Sequence, residues 1–391
     1  MTNFSTILLV VSAIRANFDF QFIQNHTPHM EDFIHLHVHT YYSLLDGQSP
    51  VEKLVDKAIA NGMRGMAITD HGNMFGVKEL FNYCNKVNGK LKKEGKEPFK
   101  PIFGCEMYVA HRKKSDRVKE KGDMGGYHLI VLAKNYNGYK NLIKLVSRAW
   151  VDGYYMRPRT DREDLEKYHE DLIVCSACIA GEVPAKILKN DIAGAREAIE
   201  WYKNLFGDDY YLELQRHEVR DPHQRANRET FPLQQQANKV LMELAKEYGI
   251  KLVCTNDCHF VNQDNAEAHD HLLCLATGKD LDDPNRMLYT KQEWFKTREE
   301  MNEVFADVPE ALSNTLEILD KVEFYSIDHS PIMPFFPIPK EFGTEEDTRK
   351  RITPEELFRE FTTDENGNDI MSQEEAENKI KKLGGIDKLY R

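Results

Sequence analysis

Residues 33–40 read FIHLHVHT, and the fold turns on how that stretch is read. Side chains alternate with period two along a strand. Ile34, Leu36 and Val38 therefore share one face, and His35, His37 and His39 the other. Three imidazoles on one face pack poorly and coordinate metal well, whereas a solvated face more often mixes Thr, Lys and Glu. The stretch predicts a strand with a core on one side and a metal-capable row on the other, over Phe33–Val38.

Six further short apolar, β-branched or aromatic runs read as strands: Gly65–Thr69, Pro101–Ala110, Tyr127–Ala133, Asp171–Ser176, Tyr210–Leu214 and Lys251–Thr255. Amphipathic helical patterns separate most of them, as in VEKLVDKAIANG (51–62), GYKNLIKLVSRAW (138–150) and LQQQANKVLMELAKEYG (233–249). Two of the three close on Gly. Such alternation predicts parallel strands, in an open doubly wound sheet or a barrel, and seven units favour the barrel. In both, function collects at the C-terminal strand ends.

Those ends carry chemistry. The run ending at Thr69 is followed by Asp70 and His71, and the last run by Asp257 and His259. Asp46, Glu106, His128 and Cys178 stand at or just beyond other strands. Singly each has a plain reading: Asp70 a helix cap, His128 a satisfied core histidine, Cys178 a small buried residue. Together they make a His/Asp/Glu/Cys set of the kind that holds several divalent ions, and paired ions suit phosphoester hydrolysis without a nucleophilic side chain.

Other patterns are discounted. His269 and His271 form a second HxH, but in a helical stretch, where residues two apart diverge. Cys175 and Cys178 lack a second CxxC, which leaves only Cys178 as a ligand candidate. Asp280 and Asp282 belong to a turn by composition. Asp364, Asn366 and Asn368 space like a calcium loop, but Asp369 stands where that loop needs Gly.

The chain has 391 residues, with 52 Lys and Arg against 64 Asp and Glu, for a net charge of −12. That excludes an all-over basic coat for nucleic acid but not a local groove. Basic runs at 88–100, 111–122 and 154–162, interleaved with aromatics, are read as loops near the metal end that could hold phosphates and stack bases. A 41% hydrophobic content supports a real core. Seven Cys give no regular disulfide framework and fit a reducing, cytoplasmic setting. Ile7–Ile14 is too short to cross a membrane, for which ~20 residues are needed, and no Lys or Arg precedes it as in a signal peptide. Residues 1–32 are expected to be a leader outside the fold, with Met30 the natural start. At the other end, prolines at 331, 334, 337 and 339 make an extended connector. Thr353-Pro354-Glu355-Glu356 then signals a helix start.

HLHVHTYYSLLDG, ITDHGNMFG, PIFGCEMYV, SACIAGEVP and TNDCHF together resemble the PHP (polymerase and histidinol phosphatase) domain. GYYMRPRTDREDL, FADVPEALSNTLEI and PFFPIP narrow the resemblance to the N-terminal region of the bacterial replicative DNA polymerase III alpha subunits, the C-family polymerases. It runs from about Phe33 to Pro339. It implies a distorted (β/α)7 barrel over 33–285, and over 286–391 a connector and the incomplete start of a polymerase palm and thumb region. By position it makes His37, His39, Asp46, His71, Glu106, His128, Cys178, Asp257 and His259 metal ligands. Of these, Asp257, His259, His37 and His39 are the catalytic candidates. His35 lies outside that set and is expected behind the ligands or at the surface.

The implied cofactors are three divalent ions, zinc or manganese, with iron or magnesium as alternatives. The implied activity is a 3′–5′ exonuclease or related phosphoesterase acting on a DNA primer 3′ end. The implied partners are other replicase subunits, such as the sliding clamp and clamp loader. The polymerase aspartates of that family lie beyond residue 391, so this chain is not expected to polymerise DNA by itself. Two other readings compete: a non-catalytic, metal-stabilised scaffold for the polymerase core, and a free-standing PHP phosphatase.

Overall fold

The computed structural model describes residues 30–219, 224–334, 339, 341, 343–351 and 353–385. Residues 1–29 of the expected 1–32 leader, and 335–338 of the Pro-rich connector, lie outside the described residues, while Glu31 and Asp32 of that leader are bonded to Asn302 and Arg298 and so belong to the fold. The chain divides into two compact units, Met1–Ile327 and Asp328–Arg391.

The first unit is built on one sheet of seven strands: β1 Gly65–Ile68, β2 Lys100–Val109, β3 Tyr127–Ala133, β4 Arg159–Thr160, β5 Leu172–Cys175, β6 Tyr210–Leu214 and β7 Leu252–Cys254. The spatial order is β1-β2-β3-β5-β6-β7, with β4 paired to β2. Six of the expected runs are therefore ladder strands. The expectation that all run parallel fails at β3, which is antiparallel to both β2 and β5. The link from β2 to β3 holds only one short 3-10 turn, Lys119–Lys121. Without a crossover helix the chain returns beside the strand it left, and an antiparallel pair results.

The seventh expected strand is the opening stretch, and it is extended but not a ladder strand. Only Val38 bridges, to Cys258. Its hydrogen bonds are split between two neighbours and several side chains. Ala67 N donates to His35 O at 2.9 Å and Thr69 N to Val38 O at 2.8 Å, while His39 N donates to Cys258 O at 2.7 Å. The hydroxyls of Thr315 and Thr69 accept from the amides of Ile34 and Val38, where a ladder would use carbonyls. The stretch thus joins the β1 edge to the chain just after β7 and curls the sheet round on itself. A distorted barrel is the outcome, with residues 33–39 as its seam.

Helices pack around that sheet. In the first, Val51–Ala60, Val51, Leu54, Val55 and Ala58 are buried, the i, i+3, i+4, i+7 stripe of a one-sided helix. Phe231–Tyr248 starts with Pro at its first turn and stops at Gly249, whose φ of 61° lies in the left-handed region. The last helix of the unit, Pro309–Lys321, closes the N-terminal end of the strands. Thr315 holds Ile34, Asn314 Nδ2 donates to Leu252 O, and Lys100 Nζ donates to Leu319 O and Val322 O. Phe295, Met301, Phe305, Leu312 and Ile318 from this region are fully buried in the same core as Phe33 and Leu36. The opposite, C-terminal end of the strands stays open to loops.

In the second unit, helices Pro354–Thr362 and Gln373–Lys382 are each opened by a capping box, Thr353 with Glu356 and Ser372 with Glu375. Between them Asp364 accepts from the amides of Asn366 and Asn368 and closes a turn on itself.

Candidate metal centre

The seam, β2, the start of antiparallel β3 and the loops after the seam, β1, β5 and β7 bring all nine predicted ligands into one connected cluster. His37 and His39, two apart on the seam, present Nε2 atoms 3.2 Å from each other. Asp257 follows β7 with φ 46°, a left-handed turn that carries its carboxylate inward. Its Oδ1 lies 3.1 Å from His37 Nε2 and 3.2 Å from His39 Nε2. Glu106, on β2, stands at the middle. Its Oε1 is 2.8 Å from His128 Nδ1 and 3.4 Å from His37 Nε2. Its Oε2 is 2.6 Å from His71 Nδ1 and 3.4 Å from His39 Nε2. Asp46 reaches His71 Nε2 at 3.0 Å and His259 Nε2 at 3.9 Å. Cys178 Sγ lies 3.6 Å from His128 Nδ1. In three overlapping groups the donor atoms lie within 4.8 Å of one another, close enough to share a metal ion: His39 with His71 and His259, His37 with His39 and Asp257, and His71 with Glu106 and His128.

Oxygen partners behind the cluster fix which imidazole nitrogen faces it. His37 Nδ1–H donates to Glu213 Oε1 at 2.8 Å, and Glu213 is held in turn by Gln215 and Thr255. Ser43 Oγ donates to Asp70, so it accepts from His39 Nδ1–H at 2.9 Å. His259 Nδ1–H donates to the Asp257 carbonyl at 2.8 Å. In all three rings Nε2 is left to the cluster, the arrangement metal-bound histidines use. His71 Nδ1, Glu106 Oε2 and Asp257 Oδ1 are buried without hydrogen bonds. The 2.6 Å approach of His71 Nδ1 to Glu106 is thus a close contact without hydrogen-bond geometry. Both atoms are buried lone-pair donors without a partner, and a divalent cation beside them, bound by both, would satisfy them. The donor set of imidazole, carboxylate and one thiol fits zinc or manganese.

The charges agree. Burial opposes a proton on His37, but Asp257, Glu213 and Glu106 outweigh it and hold the ring well above the usual histidine range. The same field attracts a cation. His39 is pushed down to about 3 by burial and by His71 and His259, so it is a neutral imidazole ready to donate its lone pair. Burial works against ionised Asp257 too, yet His37, His259 and His39 keep it well below the carboxylate range. Glu106 is held low against burial by His128, His71 and His37. Burial and the nearby Glu106 and Asp257 push the Cys178 thiol up.

His35 is in neither expected place. It is fully buried against Phe33 and Phe295, with Nε2 on the Lys296 carbonyl at 2.8 Å. Burial lowers it to about 3, the mark of a core histidine. Asp70 caps its own loop through Thr40 and Ser43 and stays out of the cluster. Of the discounted pair, His271 is turned away, but His269 is buried behind the site, its Nε2 on Asp46 O at 2.9 Å and its ring against His259.

Three supporting residues escaped the sequence reading: Glu213, Ser43 and Tyr289. The Tyr289 hydroxyl lies 3.2 Å from both Asp46 Oδ1 and His259 Nε2. Only Glu213 left a trace, as a carboxylate inside the apolar strand run YYLEL. The basic run 88–100 is corrected as well. Residues 88–93 are the end of helix Val77–Lys93, and the turn leads into the start of β2, at the end away from the cluster. In 154–162, Arg159 is buried and donates to the carbonyls of Gly153, Asp123, Lys114 and Asp116, so it is structural.

Residues 35–217, which hold seven of the nine clustered residues, match the PHP domain family. The chain carries a PHP domain. The DNA polymerase III alpha subunit of Borreliella burgdorferi is 43% identical over 329 residues, 83% of this chain and 27% of that protein. That of Treponema pallidum is 38% identical over 328 residues, 83% of this chain and 26% of that protein. This PHP-containing chain spans about a quarter of the length of the curated relatives it matches. Among solved structures, a histidinol phosphate phosphatase from Lactococcus lactis, in complex with zinc, L-histidinol and phosphate, aligns with a TM-score of 0.32 at 17% identity. The alignment covers 58% of this chain and 86% of that one. No helix among the described residues is long and apolar enough to cross a membrane.

Proposed function

We propose that the PHP domain hydrolyses phosphodiesters at a DNA 3′ end, as a 3′–5′ exonuclease within the N-terminal part of a replicative polymerase alpha subunit. The observation that carries this reading is the convergence of nine coordinating residues, from the seam and several strand ends, around Glu106 and Asp257. In it, His37, His39, Asp46, His71, Glu106, His128, Cys178, Asp257 and His259 hold three divalent ions; seven of them make up the overlapping groups, with Asp46 beside His71 and Cys178 beside His128. The chemistry such ions supply when bound is Lewis-acid activation of a phosphoester. The residues do the rest: Glu106 ties the groups together, and Glu213 and Ser43 hold His37 and His39 in one tautomer. Residues 33–285 form the catalytic barrel. Residues 286–391 belong to the beginning of a polymerase core, from which Tyr289 reaches the site and helix Pro309–Lys321 seals the opposite barrel end. The partners in this reading are the primer strand and the remaining replicase subunits.

The test is release of nucleotides from a 3′-labelled oligonucleotide by the purified chain with manganese or zinc. His37→Ala and Asp257→Ala should each lose at least about a hundredfold in rate. Activity that survives both changes places the reaction elsewhere. Bound metal by elemental analysis, with no hydrolysis of any phosphoester, would instead make the barrel a scaffold.

A further inference from the structure

The rim of the metal centre carries an exposed aromatic and cationic patch that hydrolysis alone does not use. Trp150 is 43% exposed and Tyr154 47%. Their rings stack with centroids 5.5 Å apart and planes 17° off parallel, an arrangement that a further planar ring can extend. Trp150 Nε1 donates to the carbonyl of Gly72 at 2.7 Å, and Gly72 is the neighbour of His71. Gly72 is itself closely packed. Gly72 has φ +61°, and a Cβ on it would stand 2.6 Å from Pro158 Cγ. The ring pair is therefore pinned one residue from a candidate ligand.

Arg157 completes the patch. Its guanidinium lies over the Tyr108 ring at 5.6 Å from the centroid. Tyr108 is itself 5.2 Å from His128 and 6.1 Å from His71, centroid to centroid. Arg157 is exposed, and among the described residues it has no carboxylate partner. A stacked indole and phenol left in water mark a surface built to be covered. Unpaired bases stack on such rings whatever their identity, and a free guanidinium matches a phosphate.

We propose that Trp150 and Tyr154 form a stacking platform for an unpaired nucleobase, with Arg157 on the adjoining phosphate. The centre would thereby select single-stranded nucleic acid over phosphoesters that carry no base. This rests on the phosphodiester reading and names its substrate determinant. A flat apolar patch could also seat a protein surface, but the unpaired guanidinium and the adjacent ligand cluster favour a nucleotide.

The test measures binding separately from turnover, with the 391-residue chain. Fluorescence anisotropy would follow a labelled phosphorothioate oligothymidylate and a base-free deoxyribose-phosphate strand of equal length. Tyr154→Ala should weaken the oligothymidylate about tenfold and leave the base-free strand unchanged, while Tyr154→Phe retains affinity. Arg157→Gln should weaken both strands and reduce the salt slope by about one. Loss of neither strand, or equal loss of both, on Tyr154→Ala overturns the platform. Hydrolysis of bis(p-nitrophenyl) phosphate by the same protein with manganese separates the two claims. If the wild type binds strands as expected but cleaves nothing, the phosphoesterase reading fails and the platform stands. If it cleaves the small ester and Tyr154→Ala binds oligothymidylate normally, the platform alone fails.

Discussion

Glu213 makes the sharpest case at the scale of single residues. Its buried carboxylate accepts from His37 Nδ1, Gln215 and Thr255, so it fixes both the ring and the tautomer of a proposed ligand without facing the cluster itself. Glu213→Gln should weaken metal affinity about 10- to 100-fold. The measurement is competition with a chromogenic chelator, and an unchanged affinity would show that His37 needs no support. A second residue reports on pH. His217 accepts from Gln234 Nε2 at Nδ1 and donates from Nε2 to the Asn256 carbonyl, a network made for the neutral ring. Burial lowers its pKa below 6.5, with Glu293 pulling the other way. The unfolded chain therefore takes up the proton first as pH falls. The stabilisation is complete above about pH 6.5 and is lost below it. His217→Gln should lose less stability than wild type between pH 7 and pH 5 in urea unfolding. The remaining slope belongs to groups such as His269, lowered to about 4 by burial and by His259. Equal slopes in the two proteins would rule out His217 as a contributor.

At the scale of elements, close approach decides what substitutions the barrel tolerates. Gly65 opens β1, and a Cβ there would stand 2.4 Å from the Lys100 carbonyl oxygen and 2.6 Å from Leu319 Cδ1. The carbonyl is pinned by pairing between β1 and β2, so Gly65→Ala should cost about 1–3 kcal/mol. Gly89, inside helix Val77–Lys93, meets nothing within 4 Å, and Gly89→Ala should gain about 0.5–1 kcal/mol. Chemical denaturation of the two variants checks both signs at once. Elements were legible where one local rule governs them. The stripe at 51, 54, 55 and 58, the Thr353 cap and six strand runs could be read directly. The strand direction of β3 could not, because it depends on a missing crossover. Nor could the seam. FIHLHVHT has the alternation of a strand, but its amides pair with Thr side chains and two different neighbours, and nothing in the sequence states those partners. Residue type and strand-end position picked out a looser His/Asp/Glu/Cys set that included Asp70, and the family resemblance narrowed it to the nine candidate ligands, whereas Tyr289 is one tyrosine in a long connection with no local signal.

Over the whole molecule, the net charge of −12 conceals where the acid is. Asp46, Glu106, Glu213 and Asp257 are gathered at one end of the barrel, three of them at most 15% exposed, with histidines as their principal partners. That end is also where the architecture is least self-sufficient. The cluster draws on the seam, on β2 and β3, and on the loops after β1, β5 and β7; β2 and β3 share a full ladder, but the seam and the loops are tied in by single bridges such as Val38 to Cys258, His71 to Glu106 and His128 to Gly181. Divalent ions there would act as crosslinks, binding the folded chain and not the unfolded one. At a hundred times the dissociation constant one such site contributes about 2.7 kcal/mol. Chelation with EDTA should accordingly lower the melting temperature of the chain by several degrees, and added manganese or zinc should restore it. Lower pH should have the same effect as chelation, since protons compete for the imidazoles and the thiol. His37→Ala and Asp257→Ala should begin with a lower melting point and respond less to EDTA, because part of the crosslink is already gone. A melting temperature that ignores EDTA in the wild type would mean that the seam is held by packing alone, and that the cluster contributes nothing to the closure of the barrel.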